Sequence, residues 1–162
     1  MSTFFQRQAI EAFNQMRLQG FWNQIVNTLT GQPTTLPTLD EFALPYYAHR
    51  QSLGLQTISL QAIVGSLGRG QDFGPGFRPR RKSLQDRWTQ IFMLAQEDRW
   101  EPVHLLKVGG VYFVEDGNHR VSVAHYLGRN YIDAEVWEHR VIPTLTLQGR
   151  CAHCGQLVAE QA

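Results

Sequence analysis

Lysine and cysteine are the scarce residues of this 162-residue chain. Lys82 and Lys107 are the only lysines, so the fifteen basic side chains are almost all arginine. Arginine's planar fork suits bidentate contact with phosphate or carboxylate, although a GC-rich genome gives the same bias. Both cysteines sit in one CxxC near the end, Cys151 and Cys154, which leaves nothing to complete a disulfide framework. No run approaches the roughly 18 apolar residues of a membrane span, and the N-terminus has no apolar h-region of a signal peptide. Fifteen basic against fourteen acidic side chains leaves a net charge of +1, which argues against a uniformly basic nucleic-acid binder but allows a local patch. A membrane protein, a secreted disulfide scaffold and a wholly disordered chain are thereby excluded, and the expected compartment is the cytoplasm. The length matches one domain of about 150 residues with a real core.

Apolar residues from Thr3 to Leu29 recur at three- and four-residue spacings and predict a helix, with Gly20 a point where it splits in two. Such a helix either packs on its own domain or serves a partner or a dimer. Gly31 to Pro37 reads as a linker poor in anything that buries. Leu55 to Ser59 alternates like a strand, and a short helical turn follows. Gly65 to Lys82, with five glycines and two prolines, reads as a long surface loop. Ser83 and Asp86 resemble a capping pair opening a helix through Trp88, Ile91, Phe92 and Ala95.

The second half is more regular. His104–Val108 and Val111–Glu115 predict a hairpin turned at Gly109-Gly110. His119 to Leu127 reads as a helix stopped by Gly128, and Tyr131 to Glu138 as a strand. Strand, turn, strand, turn, helix, strand is the order of an α+β domain on a mixed sheet.

The richest chemistry lies at Glu115-Asp116-Gly117-Asn118-His119-Arg120, where a strand turns into a helix. Helix N-terminal N–H groups and the macrodipole favour an anion such as phosphate. Arg120 adds a charge-assisted contact, His119 a donor, and Asp116 a place for a divalent ion or a hydroxyl. The plainer reading makes Asp116 the helix N-cap and Arg120 the neutraliser of a nearby carboxylate; spacing leaves the two even. Arg78, Arg80, Arg81 and Lys82 form a basic run that either closes over phosphate, contacts a nucleic-acid backbone, or is simply solvated. Cys151, His153 and Cys154 supply three of the four ligands a zinc ion takes, or form an incomplete tail motif.

The stretch KVGGVYFVEDGNHRVSVAHYLGRNYIDAEVWE resembles the core box of the ParB/sulfiredoxin superfamily, in which a hairpin strand enters a glycine turn ending in arginine. The upstream LQTISLQAIVGSLGRGQDF is similar to the family's first box, which leads to a ligand-facing arginine, here Arg69. The resemblance covers roughly residues 55 to 140. It implies an α+β fold of a small mixed sheet with flanking helices and a pocket for a nucleotide, CTP or ATP with magnesium. Arg69, Gly117, Asn118, His119 and Arg120 would line that pocket, with Glu115 and Asp116 in a metal or base role. Members bind and hydrolyse CTP, bind ATP, or transfer phosphate, so the fold selects no reaction. Asn118 stands where sulfiredoxins carry their cysteine, and an amide cannot act as a thiolate; sulfiredoxin activity is not expected. Because the chain ends soon after the core, the helix-turn-helix domain by which ParB reads DNA sequence, and with it chromosome-segregation activity, is not expected.

The resulting expectation is a helical extension at 1–31, a ParB/sulfiredoxin-like domain at 38–147 and a tail at 148–162. Nucleotide binding with slow hydrolysis or phosphotransfer is the leading function. Non-enzymatic contact with a DNA backbone, or assembly into a homodimer through the N-terminal helix, stands as the alternative.

Overall fold

The computed structural model describes residues 2–39 and 48–141. In chain order the elements are α1 (Ser2–Thr30), β1 (Ala48–Ser59), β2 (Ile63–Ser66), β3 (Phe73–Gly74), β4 (Arg78–Pro79), α2 (Gln85–Gln96), β5 (Val103–Val108), β6 (Val111–Asp116), α3 (Asn118–Tyr126) and β7 (Tyr131–Val141). Five strands form one mixed sheet in the order β1-β7-β5-β6-β2, and β3 and β4 form a separate small ribbon. β5 and β6 are an antiparallel hairpin; α3 then carries the chain back so that β7 runs parallel to β5. β1 closes one edge antiparallel to β7, and β2 the other edge parallel to β6. The fold is the α+β mixed sheet with flanking helices that the sequence pattern leads one to expect.

α3 joins two cores. Its Val121 and Ala124 pack on the sheet side with Val103, Leu105, Val114 and Val136. Its Val123 faces the other way, into a cluster with Phe13 of α1 and Trp88 and Phe92 of α2. Trp88 is fully buried, and its indole N–H donates a 2.9 Å hydrogen bond to the buried Ser122 Oγ. Phe13 meets the indole edge-on at 5.7 Å, a favoured aromatic geometry. Rings of this size bury enough apolar area to fix α1 and α2 against α3.

Four expectations need correction. α1 is continuous through Gly20, because that glycine serves a contact and not a break: a Cβ there would lie 3.1 Å from the Cβ of Arg78 on β4. Gly31–Pro37 is not a free linker, since Leu36 is buried and its amide bonds to the Phe73 carbonyl. Gly65–Lys82 is no surface loop throughout; the end of β2 and all of β3 and β4 lie within it, and Phe73 and Phe77 reach the sheet-side core. The apolar pull of two phenylalanines outweighs the glycine content around them. Ser83 and Asp86 do not cap α2, because Lys82–Leu84 takes a tight 3₁₀ turn and Leu84 occupies the N-cap position.

Candidate functional site

The strand-to-helix junction is made by Gly117. It is the N-cap of α3 at φ +105°, a conformation that side chains rarely adopt. A Cβ at this position would also sit 2.6 Å from Val103 Cγ1. Asp116 therefore ends β6 and is not the cap. No side chain caps α3, and the first-turn amides of a helix have no acceptor within it. The amides of Asn118, His119 and Arg120 thus head a pocket of about 380 Å³, within the range of small-molecule sites.

The opposite wall is the turn Leu67-Gly68-Arg69, joined by Arg87 and Ile91 from α2. Leu67 is fixed through its amide to the Val114 carbonyl at 2.9 Å. Asp72 holds the turn from behind, its Oδ2 accepting from Arg69 at 2.9 Å and its Oδ1 pairing with Arg81 at 3.2 Å. Arg69 remains 59% exposed, so its guanidinium is oriented without being consumed.

Two side chains at the head of the pocket have unmet polar atoms. Asn118 is only 8% exposed, and its Oδ1 has no partner; neither does the Nδ1 of His119. A buried acceptor left bare is costly, and both atoms lie behind the pocket surface and are not exposed to it. His119 meets Phe73 edge-on at 5.4 Å. Its pKa is pushed down to about 4, first by burial and then by the cationic Arg87 and Arg69, with Asp72 and Asp116 opposing. The ring is neutral at pH 7, and the same two arginines make the pocket favourable to an anion.

The remaining sequence candidates are placed as follows. Arg120 is largely buried. It donates to the carbonyls of Glu101 and Pro102 at 2.9 and 2.6 Å and pairs with Asp116. Its guanidinium ties α3 to the start of β5, so it serves the scaffold more than a ligand. Glu115 gives both carboxylate oxygens to Arg50, at 3.0 and 2.6 Å, which leaves it poorly suited to act as a base. Asp116 is 71% exposed and engages Arg120 through Oδ2.

The basic run does not form one face. Arg78 is half-buried and donates to Pro75, Arg80 lines a groove beside α1, Arg81 pairs with Asp72 while staying exposed, and Lys82 is exposed. Cys151, His153 and Cys154 lie outside the described residues. Among the described residues no group of three His, Cys, Asp or Glu side chains gathers to hold a metal, so a magnesium ion here would depend on oxygens brought by the ligand.

Sequence reasoning missed Arg87, Asp72 and Arg50. Arg87 had a signal: a cation in the first turn of a helix opposes the dipole, which invites a search for an anion. Asp72 had a local signal, its i,i+3 spacing from Arg69; Arg50 acts across the fold, 65 residues from Glu115, which no spacing reveals.

No protein-family model matches the sequence, and no curated protein matches it. Among solved structures, the chain is similar to a crystal structure of sulfiredoxin from Arabidopsis thaliana at 18% identity and a TM-score of 0.38. The match covers 51% of this chain and 82% of that one.

Proposed function

We propose that the pocket between the Leu67–Arg69 turn and the N-terminus of α3 binds a nucleotide through its phosphates. The observation that carries this reading is the convergence of Arg69, Arg87 and three uncapped helix amides on one cavity. Cations and N–H donors suit phosphate oxygens. The reading is one of binding. With Glu115 held by Arg50, Asp116 is the remaining carboxylate at the pocket that could orient a water or a hydroxyl for hydrolysis or phosphotransfer.

Thermal unfolding with CTP, ATP, GTP, ADP and pyrophosphate, each with and without magnesium, tests the proposal. A ligand at about 100 times its Kd stabilises by about 2.7 kcal/mol, a shift of roughly 5–10 °C for a chain of this size. The shift should vanish in an Arg69→Ala/Arg87→Ala variant whose unliganded stability is unchanged. No shift with any of these compounds at millimolar concentration refutes the reading.

A further inference from the structure

α1 carries two apolar sides along one helix. At 100° per residue, Ala9, Phe13, Met16 and Gly20 share the side that packs on the domain, and the first three of these are buried. Beyond Gly20 no residue of α1 is buried. Yet this second half is strongly apolar on the opposite side. Leu18, Trp22, Ile25 and Leu29 follow one another at steps of four, three and four, flanked by Phe21 and Val26. Their exposures run from 36% for Ile25 to 81% for Leu29.

The projection is pre-formed. The Asn27 side chain donates to the Pro33 carbonyl at 2.7 Å, and the Gln32 amide to the Asn27 carbonyl at 2.8 Å. The chain then returns to the domain through the buried Leu36. The helix therefore stands ready without an ordering cost on association.

We propose that this stripe is the interface of a homodimer, with the α1 helices of two copies paired along Leu18, Trp22, Ile25 and Leu29. Three observations select a second copy of this chain as the occupant. The four-three-four spacing is the a/d repeat of a two-helix seam, with Phe21 and Val26 at its flanks. The six side chains expose about 600 Å² of apolar surface. Complete cover of these side chains on both copies would bury at most about 1,200 Å², the size at which stable interfaces begin. No charged residue occurs between Arg17 and Asp40, so two like helices meet without repulsion. The same absence disfavours an anionic lipid surface, which is held by Lys and Arg on the polar side of a helix.

Sedimentation equilibrium on the full chain decides the matter. The wild type should sediment at twice the 18.6 kDa chain mass at about 50 µM, and Trp22→Glu/Ile25→Glu at the single-chain mass with an unchanged far-UV spectrum. Leu18→Ala/Ile25→Ala, which preserves helix propensity, should weaken the dimer at least about tenfold. A wild type that stays monomeric at about 200 µM overturns the proposal, as does a dimer indifferent to both variants. A monomer that co-floats with phosphatidylcholine vesicles also overturns it and assigns the stripe to lipid.

Discussion

Acid should destabilise this protein through His119, and the structure gives the size of the effect. In the unfolded chain the imidazole takes up its proton near pH 6.5; in the fold it does so only near 4. Between these values the unfolded state binds a proton that the folded state refuses, so stability is full above about pH 6.5 and falls as the pH drops towards 4. That interval sets a ceiling of about 3 kcal/mol. The ring lies at the head of an open pocket, and water reaching it reduces the effect to about 1–2 kcal/mol.

Burial is the first cause of the depression and the cations Arg87 and Arg69 the second, so His119→Gln should abolish this part of the acid sensitivity. His125, stacked on Phe77, and His139 are also lowered, chiefly by burial. They contribute equally to wild type and variant and cancel in the comparison. Urea unfolding of both proteins at about pH 7.5 and about pH 5 measures the difference directly. The wild type should lose at least about 1 kcal/mol more than the variant over that step. Equal losses, within about 0.3 kcal/mol, would refute a neutral, cation-flanked His119.

Four further outcomes follow from the geometry. Gly117→Ala should destabilise by about 2–4 kcal/mol, because it combines a left-handed backbone with a Cβ driven into Val103; denaturant unfolding reads this. Arg120→Ala should lower stability by about 2–3 kcal/mol through the carbonyls and carboxylate it leaves unpaired. Arg87→Ala should stay within about 0.5 kcal/mol of wild type while weakening anion binding at least about fivefold by calorimetry. Trp88→Phe should cost about 1–3 kcal/mol in thermal unfolding, from lost volume and a bare Ser122 hydroxyl.

What the sequence disclosed was local. The Gly109-Gly110 hairpin, the helix stopped at Gly128 and the strand from Tyr131 each rest on neighbouring residues, and each stands in the fold. The turn at Gly117 was legible for the same reason, since its neighbours spell a strand entering a helix. What escaped depended on distant contacts. Phe73 and Phe77 look like loop residues until the sheet-side core is present to receive them. Arg120 looks like a ligand contact until the carbonyls of Glu101 and Pro102 arrive beside it. Arg78 to Lys82 read as one patch, but a tight turn and the pull of Asp72 send the side chains in different directions. Of α1, the first half packs on the domain and the second half is bare, a division that the spacing of its apolar residues does not show.

Backbone amide NMR during titration with CTP or ATP and magnesium tests the central claim most directly. The account expects saturable shifts concentrated at Asn118, His119 and Arg120, with companions at Gly68, Arg69 and Arg87, and little change along α1. An unresponsive α3 N-terminus at millimolar nucleotide, or shifts confined to another surface, would contradict it.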